Sequence, residues 1–377
     1  MNPATPRGGT LAVASAALLA VTSLVAGLAG GLVRIGALAA PSSGPAGVAA
    51  AGWHGALMIC GLFGTLVSLE RAVALQRGVA VPVLAGAGAL AASLGAPPLL
   101  ALAAWGLAAA GLAGLYAHAG HARAWSLHLG VELGGALAWL AGTLAWAAGL
   151  RDAALIGWCG FLLLTIAGER RELTQMLRLP RWASRTFVVV VAGVPLAFAL
   201  ALAGLPRAAA AVWWSACALL AVWLLRFDLA PRQWRAAGWA GHTAWHLVAG
   251  YAWLAIAAIS GLSQGRVDGA ALHVLLLGFV FAMVFGHAPI ILPALAGLRP
   301  RYTAWARWPL ALMGASLVAR LAVELGVGGT TGWRAAAGVG HAAAIAWFGL
   351  TMALAAWHGR ARPSRPTGGG PSKATPA

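Results

Sequence analysis

Charged residues are scarce in this chain. Asp, Glu, Lys and Arg make up 9% of the 377 residues, whereas a soluble globular domain contains roughly 25%. Hydrophobic residues account for 61%, and they form apolar runs along the whole sequence. This distribution excludes both a water-soluble fold and a soluble domain with a single anchor. The chain is therefore predicted to be an integral membrane protein with the lipid bilayer as its main partner.

Acidic residues are the rarest charged group, with eight in the chain. The sequence also contains no P-loop and no H-E-x-x-H segment, so it gives no indication of phosphoryl transfer or of zinc-dependent hydrolysis. The three cysteines, Cys60, Cys159 and Cys217, stand apart in apolar sequence without C-x-x-C spacing and are predicted to be core residues. Whether the protein is an enzyme stays open.

Basic residues dominate the charge balance. Lys and Arg total 25, which gives a formal net charge of +17. A strongly basic chain can indicate nucleic-acid binding, but the arginines here lie in short connections between apolar runs. That pattern is typical of cytoplasmic loops in membrane proteins. No nucleic-acid partner is predicted.

Twelve apolar stretches of about twenty residues are bounded by charge, Pro or Gly, and each is predicted to be a transmembrane helix. The fold class is therefore all-α, a polytopic bundle of about 12 transmembrane helices over residues 1–358. Residues 359–377 are rich in Arg, Pro, Gly and Ser and are predicted to form a disordered cytoplasmic tail. The predicted spans are 10–35, 53–75, 79–95, 98–116, 125–150, 153–168, 187–205, 209–225, 237–262, 270–295, 308–325 and 333–357.

The basic residues also predict the orientation of the bundle. With twelve spans, 19 of the 25 basic residues fall on the side of both termini. Cytoplasmic loops carry such an excess, so both termini are predicted to be cytoplasmic, in a bacterial inner membrane. The predicted cytoplasmic edge also carries Glu70-Arg71 and the segment 169–172, where local ion pairs are expected. The opposite, outer side receives only Arg34, Arg151, Arg207, Arg266, Arg320 and Arg334.

Seven of the ten histidines lie inside predicted spans, where an ionisable side chain is by default a candidate functional group. The direction of each span predicts their depth. His54 and His273 are predicted to lie near the outer face and form an outer layer, for which His341 is a further candidate. An inner layer nearer the cytoplasm holds His242, His246 and His287, with His128 a further candidate.

The inner layer has the spacing of a metal site. His242 and His246 are separated by four residues, which places both imidazoles on one helix face. His273 and His287 are fourteen residues apart, a mismatch of only about 40° on a helix, so one face of the tenth span is predicted to serve both layers. We therefore predict metal-ligand or proton-transfer roles for the inner layer, and His128 is included among the predicted metal ligands. The alternative for any single histidine is a structural hydrogen bond across a helix interface.

The segment Trp53-His54-Gly55-Ala56-Leu57-Met58-Ile59 resembles the second helix of haem-copper oxidase subunit I, in which an H-G-x-x-M segment supplies an axial haem ligand. The twelve spans and their histidines resemble the same superfamily, and within it the NnrS-like branch. Those are haem- and copper-containing membrane proteins associated with the response to nitric oxide. The resemblance implies that His54 is an axial haem ligand, with His273 as its partner. The H-P-E-V-Y and H-x-H segments of the oxidases are absent.

Three hypotheses on function follow. The first is a haem- and/or copper-binding membrane protein that handles nitric oxide or electrons, with a small redox gas or an electron donor as partner. The second is a proton-coupled small-molecule transporter that uses the intramembrane histidines as titrating relays. The third is a metal chaperone or assembly factor. A faint likeness between residues 53–71 and 272–288 is the sole indication of an internal repeat.

Overall fold

The computed structural model of the protein describes residues 7–39, 45–327 and 331–360. Within these residues the chain is helical and contains no strand, so the predicted all-α fold is confirmed. The twelve long helices are α1 Arg7–Arg34, α2 45–75, α3 Ala80–Ser93, α4 Pro98–Arg123, α5 Leu127–Ala147, α6 Arg151–Leu173, α7 Arg181–Leu202, α8 Pro206–Phe227, α9 Gly238–Gln264, α10 Gly269–Ala296, α11 Trp308–Glu324 and α12 Thr331–Arg360.

Eleven of these helices in the described residues are long and apolar enough to cross a membrane. The remaining one, α3, is apolar but has 14 residues, so it is about 21 Å long and shorter than the roughly 30 Å hydrocarbon core of a bilayer. The predicted bundle of about twelve helices is thus confirmed, with the third helix short. The predicted tail lies outside the described residues from residue 361 onward.

Close contact between α5 and α6 depends on glycine. A Cβ atom on Gly157 would lie 2.6 Å from the Cα of Gly142, and one on Gly142 would lie 2.9 Å from the backbone nitrogen of Trp158. Neither position could accept a larger residue without separating the helices. Membrane helices associate through such small residues, because lipid offers no hydrophobic driving force between them.

Helices α2 and α10 share an irregularity that the apolar pattern did not indicate. In α2 the residues Leu57–Phe63 form a π-helical segment, and in α10 the residues Val274–Val280 do the same. Each segment follows a predicted haem ligand, three residues after His54 and directly after His273. The ring of Phe63, the last residue of the first segment, packs against Phe281, which directly follows the second, with centroids 5.4 Å apart. Such widened turns occur frequently at functional sites.

Candidate functional site

The two predicted outer-layer histidines lie together in the fold. The imidazole rings of His54 on α2 and His273 on α10 have centroids 6.4 Å apart, and their planes differ by 12°. Each histidine lies near the predicted outer end of its helix. Residues separated by more than two hundred positions in sequence therefore form one pair.

Each ring of this pair is held by a backbone carbonyl. The Nδ1 atom of His54 lies 2.6 Å from the carbonyl oxygen of Gly27 on α1, and that of His273 lies 2.8 Å from the carbonyl oxygen of Gly269. A carbonyl oxygen only accepts, so Nδ1 must donate in both rings. Nε2 is then the unprotonated nitrogen of each neutral imidazole. This is the arrangement that orients a histidine as a metal ligand.

The spacing of the two rings suits a shared ion. An imidazole nitrogen binds a first-row metal at about 2.0–2.1 Å, so two rings on opposite sides of one ion have centroids about 6.3 Å apart. The observed separation is 6.4 Å with nearly parallel rings. The separation of the two centroids therefore matches that of two imidazoles on opposite sides of one ion.

A cavity of about 620 Å³ contains both rings. Its volume falls within the roughly 300–1,000 Å³ of typical cofactor sites. Its wall is mainly apolar, and on one side Trp146 and Trp158 are stacked with centroids 5.0 Å apart. Phe63 and Phe281 also line it. The charged and histidine lining residues are Arg34, His54, Arg151, Asp152, Asp268, His273, Arg320, Arg334 and His341.

Helix α1 passes directly against the His54 ring. A Cβ atom on Gly31 would lie 2.7 Å from the Cε1 atom of that ring, so glycine at this position makes room for the imidazole. The sequence reasoning assigned no role to Gly27 or Gly31, because glycine is abundant throughout the spans. It also did not single out the cavity arginines, although the basic-residue distribution had already placed them on the sparsely charged side.

The inner histidines are arranged differently. The rings of His242 and His246 have centroids 3.9 Å apart, which is closer than the roughly 5 Å of two imidazoles bound tetrahedrally to one ion. The Nε2 atom of His242 lies 3.1 Å from the carbonyl oxygen of Phe285, and the Nδ1 atom of His246 lies 2.8 Å from the carbonyl oxygen of His242. His246 thus has the same Nδ1-to-carbonyl bond as His273, and its Nε2 atom is buried without a hydrogen-bond partner.

The other predicted metal ligands contact polar side chains. Arg170 on α6 donates to the Nε2 atom of His287 at 2.9 Å. The Nδ1 atom of His128 lies 2.6 Å from the side-chain nitrogen of Gln175. The predicted shared face of His273 and His287 assumed an unbroken α-helix, and the π-helical segment between them breaks that assumption, because its hydrogen bonds span five residues instead of four.

A separate metal centre is not evident in the part of the chain that the structure describes. There, no group of three or more His, Cys, Asp or Glu side chains is close enough to hold an ion. The pair His54 and His273 has two members and falls below this threshold of three, and haem at this pair stays a prediction. Copper at His242, His246, His287 and His128 stays a prediction.

The hydrogen bond from His242 compensates for a proline in α10. Pro289 has no backbone N–H, so it cannot bond to the carbonyl of Phe285 four residues earlier. His242 donates to this carbonyl, and the hydroxyl of Thr243 donates to the neighbouring carbonyl of Gly286 at 2.7 Å. Side chains of α9 thus satisfy the backbone that the proline leaves free, as a membrane interior requires.

This assignment predicts a coupled stability effect. The variant His242→Leu should lower the free energy of unfolding by about 1–3 kcal/mol, because the Phe285 carbonyl loses its donor. In a Pro289→Ala background residue 289 regains its N–H, and the same replacement should cost less. Unfolding of the four proteins in detergent measures the coupling. His246→Leu is the control, since His246 is also fully buried, and it should lower the free energy of unfolding equally in the wild-type and Pro289→Ala backgrounds. If His242→Leu also costs the same in both backgrounds, the assignment is contradicted.

The charged residues at the predicted cytoplasmic end do not form the expected local pairs. Arg71 does not pair with Glu70; its guanidinium lies 2.6 Å from the carboxylate of Glu132 on α5. The Glu132 side chain is fully buried, and Arg71 also lies 4.6 Å from the centroid of the Tyr116 ring. The local prediction was wrong because these side chains reach across helix interfaces, which sequence neighbours do not indicate.

The fold and the cavity define this chain as a polytopic helical membrane protein with a half-buried pair of histidines in one cavity. The chain belongs to the family described as a domain of unknown function, DUF8744, which matches residues 13–357. No curated protein matches it.

Proposed function

We propose that this protein is a haem-binding integral membrane protein in which His54 and His273 are the two axial ligands. The observation that carries the proposal is the pair of rings 6.4 Å apart, each with Nδ1 bonded to a backbone carbonyl. Imidazole binds haem iron well, and the apolar cavity around the pair is large enough for a macrocyclic cofactor. The resemblance of the second-span segment to haem-binding helices supports the same assignment.

Electron transfer is the function that this arrangement favours. If both imidazoles bound the iron, a haem held here would have no coordination position open for a gas. A bound haem would supply one-electron chemistry, with its potential set by the axial ligands and the surrounding apolar wall. We therefore prefer electron transfer to nitric oxide binding. The distribution of basic residues supports a bacterial inner membrane with both termini in the cytoplasm, so the cavity would face the outer side.

The direct test is the absorption spectrum of detergent-purified protein, before and after addition of haem. We expect a Soret band of a six-coordinate, low-spin haem at one haem per chain, reversible reduction, and little change on exposure to nitric oxide or carbon monoxide. Absence of any Soret band after haem addition would refute the proposal. A high-spin spectrum that changes strongly with gas would refute the two-ligand assignment.

A buried polar group favours the transporter hypothesis as the second candidate. The Tyr251 hydroxyl donates to Asp228, both side chains being fully buried, and Arg170 contacts His287 nearby in the same half of the bundle. Polar side chains inside a membrane often mark a path for ions or protons. Proton flux in proteoliposomes that depends on His287 would support this function, and flux equal to that of empty vesicles would exclude it.

A further inference from the structure

The wall of the outer cavity carries an excess of positive charge. Four of the six arginines predicted to lie on the outer side line it, and these are Arg34, Arg151, Arg320 and Arg334. The acidic lining residues are Asp152 and Asp268, and Asp268 pairs with Arg266 at 2.6 Å.

Arg320 is the member of this set that most requires a negative partner. It lies on α11, it is 9% exposed, and its Nε atom is buried without a hydrogen-bond partner. In the described residues no carboxylate lies within ion-pair distance of it; Glu324, one turn later, is paired with Arg334 at 3.9 Å. A buried cation without a counter-charge costs several kcal/mol in a membrane interior.

A second buried polar group lines the same cavity from the neighbouring helix. His341 on α12 is 5% exposed, and its Nε2 atom is buried and has no hydrogen-bond partner. One proton shared between this nitrogen and an acidic ligand would satisfy both atoms. Arg320 and His341 are thus two incompletely satisfied groups on adjacent helices facing one space.

We propose that Arg320 and His341 form an anion subsite of the cavity that binds a carboxylate, with Arg34 and Arg334 adding positive charge at its edge. The inference rests on the proposed function, because the carboxylate can be an acidic substituent of the bound haem. A free carboxylate anion has the same chemistry. Guanidinium binds carboxylate through charge-assisted, often paired hydrogen bonds.

The first possible source of the carboxylate, the haem itself, is tested by two titrations of haem-free protein, one with haem and one with haem dimethyl ester. Both are followed at the Soret band. Wild-type protein should bind the diacid about tenfold or more tightly than the diester, because hydrogen bonds to charged groups are worth that much. Arg320→Gln should lose most of this preference, and Arg320→Lys should retain part of it. Arg207→Gln is the matched control, since Arg207 is exposed at the same predicted end but does not line the cavity.

Thermal unfolding of haem-free protein in sodium acetate tests the second source. If acetate raises the unfolding midpoint of wild type and of Arg207→Gln but leaves that of Arg320→Gln unchanged, this outcome would assign the subsite to a free anion. Equal binding of diacid and diester by wild type, together with no acetate effect, would overturn the subsite. If wild type binds neither porphyrin but acetate stabilises it through Arg320, the haem function fails and the subsite stands.

Discussion

Replacement of His273 by alanine is expected to abolish the Soret band of the purified protein or convert it to that of a five-coordinate haem. Loss of groups that merely orient a metal ligand lowers affinity about 10–100-fold, so loss of the ligand should lower haem affinity by more than about 100-fold. His54→Ala should have the same effect, because both rings line the same cavity. Haem titration of each variant measures it.

Free imidazole and a distant histidine supply the controls for this experiment. Imidazole added to His273→Ala should restore the six-coordinate spectrum, since the deleted side chain leaves space of its own shape inside the cavity. His118→Ala should behave as wild type, because His118 lies at the opposite predicted end and contacts Arg77. If both His54→Ala and His273→Ala keep the wild-type spectrum, the ligand assignment is wrong.

The second large effect concerns stability. Arg71→Met is expected to lower the free energy of unfolding by about 3–5 kcal/mol, because it leaves a buried carboxylate without its partner. The Glu132 side chain is fully buried, and one of its oxygens already has no hydrogen bond. Unfolding by denaturant in detergent micelles measures the change.

The reason for this loss is tested by the double variant. Arg71→Met combined with Glu132→Leu removes both charges and should recover most of the stability, since an apolar pair can replace a buried ion pair at little cost. Arg77→Met is the matched control: Arg77 is exposed beyond the end of the same helix, and its loss should cost no more than about 0.5 kcal/mol. If the double variant is as unstable as Arg71→Met, the loss of stability comes from altered packing and not from an unpaired Glu132 carboxylate.

The site was partly predictable because depth in a membrane can be read along a helix. Counting residues from each span boundary placed His54 and His273 at one height, and the structure brings their rings together. The same counting placed His242, His246 and His287 at a second height, and there the rings of His242 and His246 also lie together, 3.9 Å apart. Their hydrogen bonds go to the carbonyl oxygens of Phe285 and His242, and His287 contacts Arg170. Height along a helix does not indicate these bonding partners.

The π-helical segments were not predictable for a different reason. Helix type is usually inferred from the period of the apolar residues, and Leu57–Phe63 and Val274–Val280 are apolar at nearly every position. No period can be read from such a run. The faint likeness between residues 53–71 and 272–288 was the available signal, and the shared π-helical segment gives that likeness a structural counterpart.

The class of the protein and eleven of its helices of bilayer length could be read from the sequence, which also predicted the heights of its histidines. These follow from the transfer of each residue between water and lipid, which depends on local composition alone. The tertiary structure decided that Gly27 holds His54, that Glu132 neutralises Arg71, and that four arginines surround one cavity. Those contacts depend on which helices are neighbours and how each is rotated, and in a uniformly apolar solvent close packing and interhelical hydrogen bonds set both.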